Sequence, residues 1–209
     1  MPIGTESYYQ RPDIVKSPEE ALALLKEGNQ RFAAGETLRQ NVSEEKRNSL
    51  VANGQKPLAV IVSCSDSRLP PELIFDQGLG DLFVVRVAGN VLGPLTMGSV
   101  EYGVEHLHAP LLVIMGHNHC GAVKASVDGG DAPGSIGAIV ARIKPSVDIV
   151  RSSGVEGDSI YDHVEDINIK AMVAEVQASP IIQELLHQGS LSIIGAKYCQ
   201  ETGKVTFFE

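Results

Sequence analysis

Two short stretches carry the residue types that bind soft metal ions. Cys64 follows an apolar run at residues 58–62, and 53 positions later His117-Asn118-His119-Cys120 supplies an H-x-x-C pair. One remote thiol joined to such a pair makes a Cys2His set, three protein ligands with a fourth position open. That is the pattern of catalytic zinc, because structural zinc sites close all four positions. Thiolates with an imidazole favour zinc over calcium or magnesium, which take oxygen ligands. The plain alternative for each cysteine is a small core hydrophobe. Asp66 and Arg68 lie beside Cys64. A guanidinium can hold a carboxylate by two parallel hydrogen bonds, which keeps it ionised and fixed in orientation. Such a carboxylate can accept a hydrogen bond from a metal-bound water. The alternative is a surface ion pair worth less than about 1 kcal/mol.

The elements that must position these residues are legible from hydrophobic pattern. Residues 58–62, 82–85, 111–115 and 191–196 are short, almost unbroken apolar runs. Runs of that kind read as strands buried on both faces, which favours a parallel sheet. Helical patterns separate them at 70–76, 95–107, 121–127, 135–150 and 159–178, and residues 205–208 fit a final edge strand. Two further helices precede the first strand. One is capped by Ser17 with Pro18 in its first turn and Glu20 completing a capping box, and Gly35 stops it. The other runs from Ser43 to Asn53, ended by Gly54. Residues 128–134 read as a loop. The expected class is α/β, a central mostly parallel sheet flanked by helices. Cys64 then falls at the carboxyl end of the first strand, and His117 and Cys120 just past the third. Sites in open α/β sheets gather at that edge.

Composition narrows the function. The chain has 209 residues, 43% hydrophobic and 21% charged, which suits one globular domain. We expect a single unit over 1–209, with a helical arm at 1–53 and an α/β core at 54–209. A formal net charge of −9 without a Lys/Arg run argues against nucleic acid or an anionic membrane as partner. No stretch approaches the ~20 apolar residues of a membrane span, and the first residues lack a signal-peptide pattern. A cytoplasmic home is the expectation, although a mature periplasmic form would look the same. Three cysteines, Cys64, Cys120 and Cys199, are not a disulfide framework.

Residues 64–68 (Cys-Ser-Asp-Ser-Arg) and 116–121 (Gly-His-Asn-His-Cys-Gly) together resemble the paired signature of the β-class carbonic anhydrases, in their plant-type branch. The similarity continues through 83–90 (Phe-Val-Val-Arg-Val-Ala-Gly-Asn) and 99–104 (Ser-Val-Glu-Tyr-Gly-Val), and spans roughly residues 17 to 198. The resemblance implies a zinc enzyme that reversibly hydrates CO2 to bicarbonate and a proton by attack of a zinc-bound hydroxide. It implies one Zn2+ per subunit on Cys64, His117 and Cys120, oriented by the Asp66–Arg68 dyad. It assigns Gln55, Phe83, Ala88, Tyr102 and Gly121 to substrate binding, and Tyr102 with His106 to proton transfer. Tyr102 and His106 are also four apart, the spacing of plain helix packing. The resemblance further implies a homodimer or a multiple of it, with N-terminal helices on the partner and some pocket residues crossing the interface.

This sequence departs from the pattern in places. It has no Trp, so the bicarbonate lock of a related branch is not expected, and Arg86 alone does not make that site. Val87 and Ala88 stand where many members have Asn and Val. His119 is unusual inside H-x-x-C and is either a proton relay or a solvated side chain. Three rival readings remain: hydrolysis of carbonyl sulfide or carbon disulfide on the same scaffold, a zinc-stabilised bicarbonate sensor, and a thiol redox protein. The last lacks a C-x-x-C. Cys199 lies outside the signature.

Overall fold

The structure is a computed structural model and describes residues 8, 9, 11, 15 and 17–208. Most of the first sixteen residues, on which the expectation of no signal peptide rests, lie outside the described residues. Among the described residues five strands form one sheet in the order β2-β1-β3-β4-β5. These are β1 (Ala59–Ser63), β2 (Leu82–Arg86), β3 (Leu111–His117), β4 (Ser192–Tyr198) and β5 (Val205–Phe207). The first four run parallel, and β5 closes one edge antiparallel to β4. Every residue of β1 and β3 is buried, as their unbroken apolar runs require when helices cover both faces.

The order of strands creates the site edge. The chain leaves β1 for β2 on one side and then places β3 on the other. Ser63 pairs with Arg86 in β2 and with Met115 in β3. The carboxyl ends of β1 and β3 therefore meet at a topological switch point, where a crevice opens in sheets of this kind.

Helices α1 (Pro18–Ala34) and α2 (Glu44–Asn53) precede the sheet. Ser17 accepts the Glu20 N–H at 3.1 Å, and Gly35 ends α1 in the left-handed conformation at φ 73°. One face of α1 is buried in its own chain through Ala21, Leu25, Gly28 and Asn29. Asn29 donates to the carbonyls of Ile74 and Gly203 and accepts the Val205 N–H. Within the chain, then, α1 packs on its own core, whereas α2 buries no residue at all.

Helix α3 (Pro71–Ile74) is shorter than its expected span. The expected helix 95–107 divides into α4 (Pro94–Glu101) and a π-helical turn at Tyr102–His106. A turn of that kind is rare and concentrates at functional sites. Helices α5 (Gly121–Asp128), α6 (Ile136–Ser152) and α7 (Ser159–Gln177) follow, and α7 packs on β3 and β4. An additional helix, α8 (Pro180–His187), occupies residues to which no element had been assigned. Pro180 at its first position is the start signal.

A side chain at Gly28 would place its Cβ 1.9 Å from the Phe75 carbonyl oxygen. Alanine gains about 1 kcal/mol of helix propensity over glycine, but overpacking against main chain costs about 1–3 kcal/mol or more. Overpacking should win. Because the contact is with main chain, the upper end of that cost applies, and Gly28→Ala is expected to lower urea-unfolding stability by about 2 kcal/mol. An unchanged or raised stability would show that α1 does not sit this close to Phe75.

Candidate metal centre

Cys64 extends from β1, His117 ends β3, and Cys120 precedes α5, so three chain segments deliver one ligand atom each to the switch-point crevice. The two sulfurs and a ring nitrogen all lie within 4.8 Å of one another. All three residues are buried, with His117 1% exposed. The His117 Nδ1 lies 2.8 Å from the Asn118 carbonyl oxygen, with the Gln200 side-chain amide at the same distance. A proton on Nδ1 donates to the Asn118 carbonyl, and to Gln200 with its side-chain amide turned to present the oxygen, and it leaves Nε2 with the free lone pair. That Nε2 is buried and has no hydrogen-bond partner among the described residues. A buried imidazole nitrogen left alone is costly, and a metal ion at the centre of the cluster resolves it.

The sulfurs point the same way. With only protons present, Cys64 and Cys120 share one. The Cys120 S–H donates to Cys64 and pushes the Cys64 thiol well below its ordinary pKa, against the opposing effect of burial. Cys120 keeps the proton and is pushed up, first by that hydrogen bond and then by burial. The chain has prepared N–H groups for both sulfurs in ionised form. Gly89, held in the left-handed region at φ 69°, donates its N–H to the Cys64 sulfur at 3.3 Å. The first N–H groups of α5, at Ala122 and Val123, favour ionised Cys120. A divalent cation held by Cys64, His117 and Cys120 would replace the shared proton and let both thiolates form. The donor set therefore fits a divalent metal of zinc's preference for sulfur and nitrogen.

Beside the cluster, Asp66 and Arg68 form a bidentate pair. Arg68 Nε donates to one carboxylate oxygen at 2.9 Å and Nη2 to the other at 2.7 Å, and the Arg68 N–H adds a third bond at 2.9 Å. These bonds hold the Asp66 carboxyl far below the usual carboxylate range. The charge of the ionised cysteines reaches Arg68. The carboxylate is thus turned to Arg68 and is not among the clustered ligand atoms. Arg86 fixes the same loop from β2 by donating to the carbonyls of Cys64 and Asp66.

The family model described as carbonic anhydrase matches residues 59–205. Carbonic anhydrase 2 of Mycobacterium tuberculosis is 44% identical over 193 residues, covering 90% of this chain and 91% of that protein. Among solved structures, a Coccomyxa β-carbonic anhydrase superposes with TM-score 0.70 at 30% identity, over 88% of this chain and 85% of that one. The chain belongs to the β-class carbonic anhydrases. A tetrameric β-carbonic anhydrase from Sordaria macrospora shares the fold at TM-score 0.73 and 23% identity, over 79% of this chain and 87% of that one.

In this carbonic anhydrase the residues of interest fall into two groups. Cys64, Asp66, Arg68, Ala88, His117, Cys120 and Gly121 gather at the carboxyl edge, with Gly121 exposed in the first turn of α5. Phe83, Tyr102 and His106 form a separate cluster. The Phe83 and Tyr102 rings are 6.1 Å apart, and those of Tyr102 and His106 are 5.1 Å apart. Phe83 pairs with Val60, four residues back along β1 from Cys64, about 13 Å at strand rise. Gln55 is exposed on the loop entering β1, at the opposite edge. His119 is exposed, with Nε2 2.6 Å from a Glu201 carboxylate oxygen, and Cys199 donates to the same carboxylate at 3.3 Å.

Three supporting residues escaped sequence reasoning. Glu165 of α7 is 4% exposed and accepts the Cys120 N–H at 3.1 Å, and burial pushes its pKa up. Lys197 of β4 lies 3.1 Å from that carboxylate and also meets Asp162 and Asp166. Gln200 braces His117. The signal for Glu165 was available, because it stands in phase with Val164, Ile169, Met172 and Val176, the buried face of α7.

Cys64→Ala is expected to weaken metal binding by more than about 100-fold, beyond the loss typical of outer-shell changes. Cys199→Ser should leave metal content unchanged. Full metal stoichiometry in Cys64→Ala, measured by elemental analysis, would contradict the ligand set.

Proposed function

We propose that the chain reversibly hydrates CO2 to bicarbonate and a proton at one zinc ion per subunit, held by Cys64, His117 and Cys120. The observation that carries this reading is the Cys2His cluster lying beside a carboxylate that Arg68 keeps ionised and turned away from it. Bound there, zinc supplies a Lewis acid that brings the pKa of water from 15.7 toward about 7.

The chain's own residues then orient the reaction. Ionised Asp66 can only accept hydrogen bonds. It takes the O–H of the attacking oxygen and leaves a lone pair aimed at carbon. Arg68 fixes the carboxylate and keeps its pKa too low for it to take up a proton at working pH. The Gly121 N–H, one of the orphan donors at the start of α5, faces the negative charge that builds on the CO2 oxygens. Ala88 contributes to an apolar wall, which suits an uncharged linear substrate.

Gln55, Phe83 and Tyr102 reach the reaction from a second copy of the chain. Their separation from the cluster within one chain supports this. So do the edge position of β2, the 48% exposure of Tyr102 and the 89% exposure of nearby Leu95. The outer face of α2, where Val51 is 86% exposed, is a further surface for the partner. In that homodimer, or a multiple of it, Tyr102 and His106 pass the released proton to solvent. No helix among the described residues is long and apolar enough to cross a membrane. Three unpaired cysteines support a reducing compartment such as the cytoplasm.

Asp66→Asn tests the dyad. The variant should bind zinc at full stoichiometry while CO2 hydration at neutral pH falls by about 10²-fold or more, the range lost with a proton-handling group. Unchanged turnover with full zinc would make the Asp66–Arg68 pair purely structural.

A further inference from the structure

At the amino-terminal edge of the sheet, opposite the metal centre, a cavity of about 390 Å3 opens between α2, the 78–81 loop and the segment carrying Tyr9 and Arg11. Its size falls in the range of about 300–1,000 Å3 typical of small-molecule sites. The walls are polar and positive, in a protein of net charge −9. Lys46, Lys56 and Arg11 line it, against one carboxylate, Asp81.

That carboxylate is already committed. One Asp81 oxygen accepts Arg11 Nε at 2.8 Å and the other accepts the Gly78 N–H at 2.9 Å. Arg11 Nη2 donates to the Lys56 carbonyl at 3.1 Å. The remaining Arg11 nitrogen, Nη1, is buried without a partner among the described residues, on a side chain 10% exposed. An unmatched buried donor is costly. Neither Lys46 nor Lys56 makes an ion pair with any described residue. Lys46, Ser49, Leu50 and Asn53 share one face of α2, and that face closes the cavity because Leu50 packs on Gly80.

We infer that this cavity is a second binding site, for a small metabolite bearing a phosphate monoester. Three positive charges against one negative leave about two for the ligand, matching the −1.5 to −2 of a phosphate monoester at neutral pH. Arg11 supplies a fixed positive charge in the cavity wall and the two ammonium groups supply movable ones, the division of labour found around phosphates. Ser49 and Asn53 give the body of the ligand polar partners, and Leu50 gives it one apolar contact. None of these residues is a proposed metal ligand or substrate contact, but Gly54 and Lys56 flank Gln55, so unchanged CO2 hydration in the lysine variant is part of the test.

The test is titration calorimetry on the metal-loaded full-length protein, with inorganic phosphate and glycerol 3-phosphate as probes. Saturable binding with a dissociation constant on the order of 1 mM or tighter is expected, tighter for the ester. It should weaken at least about tenfold in the double variant Lys46→Gln/Lys56→Gln, the effect of losing one charge-assisted hydrogen bond or more. It should persist in Cys64→Ala, and metal content and CO2 hydration should be unchanged in the lysine variant. Absence of saturable binding of either probe overturns the inference. So does binding that disappears in Cys64→Ala but survives in the lysine variant, which would place the anion at the metal centre. An ester bound no more tightly than the free ion overturns the metabolite class.

Discussion

Burying a thiolate is unfavourable unless positive charge or directed N–H groups face it, and this chain buries two sulfurs and an imidazole nitrogen within 4.8 Å of one another. With protons alone the arrangement stays frustrated. One sulfur must keep a proton so that the other can ionise, and His117 Nε2 meets no hydrogen-bond partner among the described residues. A single divalent cation relieves all three at once. Much of the surrounding structure serves this constraint: Gly89 and the start of α5 face the sulfurs, Gln200 and the Asn118 carbonyl hold the ring, and Glu165 ties down the Cys120 backbone.

Topology turns that local chemistry into an open site. Because β2 and β3 leave β1 on opposite sides, the carboxyl ends of β1 and β3 have no connection crossing over them. The 64–68 loop can then carry both a ligand and the Asp66–Arg68 pair, and Arg86 from β2 clamps its carbonyls. The carboxylate is held beside the ligand cluster without entering it. Among the described residues β2 is an edge strand, flanked by exposed aromatic and aliphatic side chains. One chain therefore carries the Cys64–His117–Cys120 cluster at one edge and the Phe83–Tyr102–His106 cluster at another surface.

The fold class was legible because buried parallel strands write themselves as unbroken apolar runs, and the ligand triad because Cys64 and the H-x-x-C pair both fall where such runs end. What stayed hidden depends on tertiary neighbours. The π-helical turn at Tyr102–His106 has no pattern distinct from an ordinary helix end. Lys197 sits inside a strand and finds its three carboxylates only when α7 crosses β4. Gln200 lies beyond the last signature residue, in the turn that returns to β5. No pattern in the sequence announces how closely Gly28 lets α1 approach Phe75 in its own chain. Helix α8 was missed although Pro180 announces it.

X-ray absorption spectroscopy of the zinc-loaded protein reads directly what surrounds the metal ion. Two sulfur scatterers are expected at about 2.3 Å, and one imidazole nitrogen with one further light atom near 2.0–2.1 Å. A shell without sulfur, or with four protein ligands and no exchangeable position, would contradict the ligand set.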